Sequence, residues 1–440
     1  MKVLKRKHAV IVTLCFMFHF SAACMNAEAE ETVFAATTLD VYLRQAQTAN
    51  PELKAFKARY EAAIQRIPQA ASLPEPMLQV THFVESVQTR TGPQENIFML
   101  SQRIPWFGKL RSREDLASAE AEALWYTYQD RELLLAKTVA VHFFDYGFTG
   151  EAITLTAKNL DWLVNLEPII EEKVRGGGDI NPLLRLKVEV GRVADRLASL
   201  KQRRRAQSAR LNALLALPDD TILPLPTLAP TPPLTFNDDA LMDAIDQNNP
   251  ELQMLSRRIE SAEARQEVAR LVSYPDLTLG INYIQIGDPA VNPTTPDAGN
   301  DPWGITASLK IPLWFDKNKA ARAEALAGRL ATVKEYEHRA NALKADMRAS
   351  IALLEDATRR LKLYGDELLG LAEQAVENSQ ASYETGRTGI LEVIDSERSL
   401  LDLQLLSWRA AADAWKQRVI IQTLANQSLL DLATAENNNE

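Results

Sequence analysis

Hydrophobic residues in the second half of the chain recur at the three-and-four spacing of a coiled-coil helix. No proline follows Pro312, and the recurring apolar positions are Met347, Ile351, Leu354, Leu361, Leu368, Leu371 and Ala375. This spacing predicts one helix from Asp316 to Glu384, roughly 100 Å long at about 1.5 Å per residue. The first half predicts a matching helix from Lys109 to Arg175, kinked at Pro168. No globular core needs helices of this length, so we expect long helical hairpins.

Four shorter segments alternate between apolar and polar residues, which predicts β-strands. The alternation is clean in 277–283 and 303–311 and weaker in 78–84 and 97–104. It is typical of a sheet with one face on a protein core, or of a membrane barrel with lipid outside and water inside. The barrel is favoured because the helices leave no segment to cover the sheet. Aromatic residues also cluster at the strand ends, as in an interfacial girdle; these are Tyr283, Trp303, Trp106, Phe107, Trp314 and Phe315.

Four strands are too few to enclose a membrane barrel. Unpaired strand edges cannot face lipid, and small closed barrels need about eight strands or more. We therefore expect several copies of the chain to share one barrel. The predicted fold is mainly α, with a small membrane β part.

The chain contains two copies of one architecture. Asn50-Pro-Glu-Leu53 recurs as Asn249-Pro-Glu-Leu252, and the glycine break that begins at Gly176 recurs at Gly386. Each half predicts a first helix, two strands, a long helix, a glycine break and a return helix. The period is about half of the chain, which indicates a duplicated domain rather than a solenoid. The two first helices are predicted at 39–72 and 238–272.

These patterns predict the organisation of the whole chain. The first 29 residues have the form of a bacterial secretory signal, with a basic start, an apolar stretch and small residues; the alternative is a short anchor helix. Cleavage after Ala29 would remove both cysteines, whereas cleavage before Cys24 would leave a lipidated N-terminus. The remaining segments are the first repeat at 30–217, an extended proline-rich connector at 218–236, the second repeat at 237–428 and a polar tail at 429–440.

Composition and motifs argue against several classes of function. The 440 residues are 46% hydrophobic and 24% charged, which excludes a disordered chain and a polytopic helical membrane protein. A net charge of −9 argues against nucleic acid as a partner. The five histidines show no ligand spacing, and neither a GxSxG nor a Walker motif occurs. We expect no enzymatic activity, no cofactor and no metal site.

The order of elements resembles the TolC family of outer-membrane efflux proteins, and the resemblance covers nearly the whole mature chain. It rests on the signal segment, the two Asn-Pro-Glu-Leu openings, the junctions 102–109 and 310–315, and the motif Tyr383-x-x-Gly386-x-x-x-Ile390-x-Glu392-Val393-x-Asp395. The resemblance implies a homotrimer whose twelve-stranded β-barrel continues as an α-helical barrel across the periplasm of a Gram-negative bacterium. It also implies an exit duct for a tripartite efflux or type I secretion system. Its partners would be a periplasmic adaptor (membrane fusion) protein, an inner-membrane RND or ABC transporter and outer-membrane lipids.

The same resemblance suggests roles for residues around the glycine breaks. It implies that Gly176 and Gly386 form periplasmic tip turns where an adaptor docks, and that Glu392 and Asp395 ring the pore entrance. The two acids are three residues apart and share a helix face, so three copies would form two stacked acid rings. A local ion pair between Asp395 and Arg398, or acids attracted by the helix dipole, are the alternatives.

The family's closing network of tyrosine, aspartate and arginine is only partly present. The tyrosine is present as Tyr383, but Pro182 stands at the aspartate position and Thr388 at the arginine position. Alignment of the two glycine breaks places Arg185 opposite Asp395. We therefore hypothesise that Arg185 and Asp395 on neighbouring tip helices form the closing contact at the entrance, together with Tyr383.

A second class of function fits the same elements. A soluble periplasmic coiled-coil adaptor or scaffold would also have long hairpins and a small β-domain. The cargo of a duct is open among metal ions, drugs, siderophores and proteins. The segment Ile104–Leu110 resembles members that are associated with heavy-metal efflux, which slightly favours metal.

Overall fold

The computed structural model describes residues 38–226, 237–289, 294 and 296–427. Within them the chain is mostly helical and has one small antiparallel sheet, which confirms the predicted fold class. The predicted signal segment, Cys24, the second part of the connector and the polar tail lie outside the described residues, so the outer domain limits stay predictions.

The two repeats have the same order of elements. The first comprises α1 (Leu39–Ala49), α2 (Pro51–Ile64), α3 (Arg66–Ala71), β1 (Met77–Thr89), β2 (Gly92–Ile104), α4 (Lys109–Arg175) and α5 (Asn181–Leu215). The second comprises α6 (Asp238–Asn248), α7 (Pro250–Leu271), β3 (Asp276–Ile286), β4 (Trp303–Lys310), α8 (Phe315–Lys362), a π-helical turn (Leu363–Leu368), α9 (Leu369–Glu384) and α10 (Ile390–Leu424).

Three predicted helices differ from the structure in their continuity. The predicted helix 39–72 is divided at Asn50 and again at Gln65, and the predicted helix 238–272 is divided at Asn249. Apolar periodicity continues across these breaks, so the pattern alone did not reveal them. The predicted helix from Asp316 to Glu384 keeps its length but contains the π-helical turn. Pro168 lies inside α4, as expected.

The two breaks at Asn50 and Asn249 explain why the Asn-Pro-Glu-Leu motif recurs. The Asn249 side-chain oxygen accepts hydrogen bonds from the N–H groups of Glu251 (3.0 Å) and Leu252 (3.3 Å), and its amide donates to the Leu424 carbonyl (3.0 Å). Asn50 repeats this arrangement with Leu214 as the carbonyl partner, at 3.0 Å. Each asparagine therefore caps the next helix, whose first residue is proline, and ties it to the end of the return helix.

Two apolar cores hold the repeats together, and α10 contributes to both. The first core joins α1, α4, α5 and α10, and within it the rings of Phe144 and Trp415 stack at 5.3 Å. The second core joins α6, α7, α8 and α10 around the fully buried Met347. Because α10 packs into both cores, the two repeats form one bundle rather than separate units.

The four strands form one sheet in the order β1-β2-β3-β4, and all three pairings are antiparallel. β1 and β2 form the first hairpin, and β3 and β4 form the second. No helix among the described residues has an apolar stretch long enough to cross a membrane.

We predict that Asn249→Ala loosens the start of α7. Loss of the cap leaves two N–H groups and a buried carbonyl without a partner, which corresponds to about 1–2 kcal/mol. Hydrogen exchange at Glu251 and Leu252 should become roughly tenfold faster. Asn341→Ala is the matched control, because Asn341 is exposed inside α8. Unchanged exchange in Asn249→Ala would contradict the role of the cap.

Candidate functional site

The two glycine breaks form the same helix-ending turn. At the end of α4 the Gly177 N–H bonds to the Val174 carbonyl and the Gly178 N–H to the Lys173 carbonyl, both at 3.0 Å. At the end of α9 the Gly386 N–H bonds to Tyr383 (3.0 Å) and the Arg387 N–H to Ser382 (2.8 Å). Both patterns are Schellman motifs, which close a helix through a residue with positive φ.

The glycine with positive φ is Gly386 in the second repeat and Gly177, not Gly176, in the first. Their φ angles are +73° and +93°, whereas Gly176 has φ −74°. A Cβ on Gly178 would lie 2.8 Å from the Lys173 carbonyl oxygen, so this position also requires glycine. Gly176 is the C-cap residue of α4 and still lies within the tip turn.

The direct side-chain contact between the two tip turns joins Lys173 to Tyr383. The Lys173 ammonium donates to the Tyr383 hydroxyl at 2.7 Å and lies 4.1 Å from the centre of its ring. The cation–π contact and the hydrogen bond both stabilise the contact between Lys173 and Tyr383. Sequence reasoning identified Tyr383 but missed Lys173. Its signal was a basic residue in the last turn of α4, beside a helix end that favours cations.

An apolar cluster beneath the turns fixes the tip hairpins against each other. It combines side chains from α4, α5 and α10, with Tyr383 packed on its edge; the buried members are Leu163, Ile170, Leu186, Val193, Ile390, Val393 and Ile394. Glu392 and Asp395 are exposed beside these buried α10 residues. The helix therefore turns its apolar face inward and presents both predicted entrance acids to solvent.

Within this chain Asp395 is placed near Arg398. The two charged groups are 3.9 Å apart, and the Asp395 side chain is 77% exposed. An exposed ion pair at that distance contributes little to stability, because water competes with both partners. The carboxylate therefore remains available to other charges.

Arg185 lies one residue out of register with Asp395. Measured from the positive-φ glycines, the counterpart of Asp395 in α5 is Leu186, which is fully buried in the tip cluster. Arg185 is therefore rotated by about 100° around its helix relative to the predicted alignment. It is exposed, and no carboxylate of the described residues lies within 4.0 Å of it.

One acid of the same segment lies between helices. Burial raises the pKa of the Glu397 carboxyl above its usual range, although Gln380 of α9 donates a hydrogen bond to it at 3.2 Å. Glu397 is thus part of the contact between α9 and α10 and is not exposed as Glu392 and Asp395 are.

The sheet has one mainly apolar face and one mixed face. Residues opposite each other in an antiparallel register point to the same side. The mainly apolar face carries Gln102 and the apolar residues Leu78, Val80, Phe98, Leu100, Ile104, Leu277, Leu279, Ile281, Tyr283, Trp303, Ile305 and Leu309. The other face is polar or small in β3 and β4 at Thr278, Gly280, Asn282, Gly304, Thr306, Ser308 and Lys310, but it also carries Met77, Ile97, Met99 and Ile284.

No other described residue covers the apolar face. Leu78, Ile281 and Ile305 are 67%, 57% and 72% exposed. At the end of the sheet far from the helices this face becomes polar, where His82, Asn96 and Gln285 form a hydrogen-bonded row with distances of 2.8 and 2.7 Å. Among the described residues no strand pairs with the outer edge of β1 or of β4.

We predict that Gly177→Ala destabilises the first tip turn more than Gly176→Ala does. An alanine at positive φ costs about 1–2 kcal/mol, whereas Gly176 has an ordinary φ. Hydrogen exchange of residues 173–180 should accelerate roughly tenfold in Gly177→Ala and little in Gly176→Ala. Equal effects of the two substitutions would refute the assignment of the turn.

Similarities with known proteins agree with this architecture. Residues 241–427 match the family model described as outer membrane efflux protein. The chain is 24% identical over 430 residues to the outer membrane protein TolC of Vibrio cholerae, covering 91% of this chain and 94% of that protein. It is 21% identical over 316 residues to the probable outer membrane lipoprotein SilC of Salmonella typhimurium, covering 69% of this chain and 66% of that relative, just under two thirds of its length.

A solved structure supports the same assignment at the level of the fold. The outer membrane channel CmeC of Campylobacter jejuni superposes with a TM-score of 0.75 at 14% identity, covering 95% of this chain and 94% of that one. In the described part of this chain, His, Cys, Asp and Glu form no group of three or more that could hold a metal ion. Residues 241–427 thus match the outer membrane efflux protein family, two outer membrane proteins are similar along much of the chain, and the chain shares its fold with an outer membrane channel.

Proposed function

We propose that three copies of this chain form an exit duct through the outer membrane of a Gram-negative bacterium. The observation that carries the proposal is a four-stranded sheet that has one apolar face and two unpaired edges and continues directly into helices about 100 Å long. Unpaired edges cannot face lipid, so the sheet needs neighbours on both sides. In a closed ring of twelve strands from three copies, β1 of each copy would pair with β4 of its neighbour, and no edge would remain unpaired.

The dimensions of the sheet support a membrane location. β1, β2, β3 and β4 contain 13, 13, 11 and 8 residues, and a tilted strand needs about 9–11 residues to cross a bilayer. Three of the four strands are therefore long enough for the apolar band of an outer-membrane barrel. The exposed Leu and Ile side chains would face lipid, and the polar face with Thr306 and Ser308 would line water.

The helices supply the periplasmic part of the duct. α4 with α5, and α8 and α9 with α10, form two long hairpins that end in the tip turns. An adaptor protein would dock at these turns, around Gly176, Gly177 and Gly386. An inner-membrane RND or ABC transporter would supply energy and select the cargo, so the duct itself conducts passively.

The pore entrance lies just after the second tip turn. Glu392 and Asp395 are exposed on the first turns of α10 and would form two acid rings in three copies. Arg185 has no carboxylate partner in the described part of its own chain, which leaves it free to meet Asp395 of a neighbouring copy. Lys173 and Tyr383 join the two hairpins of one copy at the same level.

Cys24 would carry a lipid anchor if the signal is cleaved in front of it. The relative SilC of Salmonella typhimurium is described as a probable outer membrane lipoprotein. The mass of the mature N-terminal peptide decides between this processing site and cleavage after Ala29.

A soluble coiled-coil adaptor is not favoured for this chain. Such a protein would expose the apolar face of the sheet to water, and an apolar patch of that size marks a membrane or protein contact. Fractionation separates the two functions, because the duct requires detergent for extraction and a soluble adaptor does not.

Planar-bilayer recording tests the duct and its tip contact together. We expect the purified protein to insert with a small closed-level conductance, and Lys173→Met to raise that level, because the hydrogen bond and ring contact that join the hairpins are lost. Tyr383→Phe should have a smaller effect, since it keeps the ring. Arg175→Met is the control, because Arg175 pairs with Glu171 and Glu172 of its own helix.

The absence of channels from purified protein would contradict the duct. Channels whose closed level is the same in Lys173→Met and Arg175→Met would contradict only the role of the Lys173–Tyr383 contact.

We predict that Glu392→Gln combined with Asp395→Asn lowers the preference for cations, measured as the reversal potential in a KCl gradient. Removal of the acid rings removes the field that concentrates cations at the entrance. Glu377→Gln is the control, since Glu377 is an exposed acid of α9. A reversal potential that does not move excludes Glu392 and Asp395 from the narrow part of the pore.

If Arg185→Ala and Asp395→Ala both keep the wild-type closed-level conductance, the proposed contact between Arg185 and Asp395 is wrong.

A further inference from the structure

A strongly basic pocket of ≈ 280 Å³ lies where the sheet joins the long helices. It is formed by the end of β2, the end of α7, the start of β3, the end of β4 and the first turns of α4 and α8, and apolar residues of α7 such as Leu271 form part of its wall. Five cationic side chains line it, which are Arg103, Lys109, Arg113, Lys310 and Lys317. The carboxylate among its lining residues is Asp276.

The carboxylate of Asp276 is already used within the fold. It accepts four hydrogen bonds: from the Lys109 ammonium at 2.8 Å, from the Arg103 Nε at 3.1 Å, from the Arg103 Nη2, and from the Trp106 N–H at 3.2 Å. Asp276 is 5% exposed, so this ion pair is fixed between strand and helix. It neutralises one of the five cations.

Three of the lining cations have no counter-charge. Arg113, Lys310 and Lys317 are exposed and, in the described part of the chain, have no carboxylate within 4.0 Å. Unpaired cations that converge on one concave surface repel each other and attract an anion.

The side-chain amide of Asn318 provides a second indication of a ligand. Asn318 lines the pocket and is 8% exposed, and its side chain forms no hydrogen bond with any described residue. Its amide nitrogen and oxygen are not sealed from solvent, so they are accessible to a ligand in the pocket. Lys109 is also buried and uses two of its three N–H donors, on Asp276 and on the Tyr274 carbonyl at 2.6 Å. Both side chains therefore have donors in reserve.

Two helix N-termini add to the positive potential. α4 begins at Lys109 and α8 at Phe315, and neither helix has a side-chain cap on its first N–H groups. Asp316 lies in the first turn of α8 but is not part of the pocket lining. Uncapped N–H groups and the helix dipole favour anions, and phosphate above all.

We propose that this pocket binds a phosphate-bearing anion. Lys310 and Lys317 would supply charge, and Asn318, with the free N–H of Lys109, would supply hydrogen bonds to the phosphate oxygens. The sheet residues of the pocket, Arg103, Asp276 and Lys310, lie on the face of Thr278 and Ser308, opposite the apolar row of Ile104, Leu277 and Leu309. This placement favours a free phosphate-bearing anion in water, and a phospholipid headgroup is the second source with the same chemistry of recognition.

Calorimetric titration of the full-length protein in detergent, at constant ionic strength, tests the proposal. The two probes are inorganic phosphate and dihexanoyl phosphatidate below its micelle concentration. We expect saturable binding of at least one probe. Lys317→Gln should weaken this binding about tenfold, the usual effect of losing one charge-assisted hydrogen bond, and Asn318→Asp should weaken it further because it adds a negative charge. Both positions leave the Asp276 ion pair intact.

Lys319→Gln is the matched control, because Lys319 is an exposed lysine of the same helix that does not line the pocket. Binding in this variant should equal the wild type. Saturable binding of phosphatidate alone assigns the site to a lipid headgroup, and binding of inorganic phosphate assigns it to a soluble anion. Absence of binding for both probes, or an equal loss in Lys319→Gln and Lys317→Gln, overturns the proposal.

Discussion

The unpaired backbone of β1 and β4 is the constraint on which the rest of the structure depends. A strand edge in water can bond to solvent, but an edge in lipid leaves each N–H and carbonyl without a partner. The sheet is mainly apolar on one face, and β3 and β4 are polar on the other, which fits a barrel wall between lipid and water. In the proposed duct other copies of the chain would pair with both edges, and the long hairpins would extend the same ring beyond the membrane.

The duplicated chain uses the same backbone devices in both repeats. Asn50 and Asn249 each cap a helix and bond to the end of a return helix, and Gly177 and Gly386 each close a Schellman turn. These devices depend on local geometry, which a duplication copies without change. The side chains at the tip differ between the repeats. The contact between Lys173 and Tyr383 takes one partner from each repeat and so occurs once rather than twice. The stable frame is thus repeated, and the candidate gate is not.

The sequence predicted features that depend on a local period or on a single special residue. Helical spacing located α4 and α8 to α10, alternation located the strands, and the glycine break at Gly386 marked the end of α9. Features that depend on an exact count or on distant partners were missed. The glycine run 176–178 offers three residues for one positive φ, so the alignment chose Gly176 and shifted Arg185 by one position. Lys173 meets Tyr383 across 210 residues, and no local pattern indicates such a contact. The roles of Glu392, Asp395 and Arg185 at a pore entrance depend on neighbouring copies and stay predictions.

Disulfide cross-linking between β1 and β4 tests the central claim most directly. The native cysteines, Cys15 and Cys24, precede the described residues, so paired cysteines introduced into 77–83 and 303–309 can be read without interference. The account predicts that oxidation of membrane-embedded protein produces covalent dimers and trimers in a single register, and that the series ends at three copies. Cross-links confined to one chain, or a series that continues beyond three copies, would contradict it.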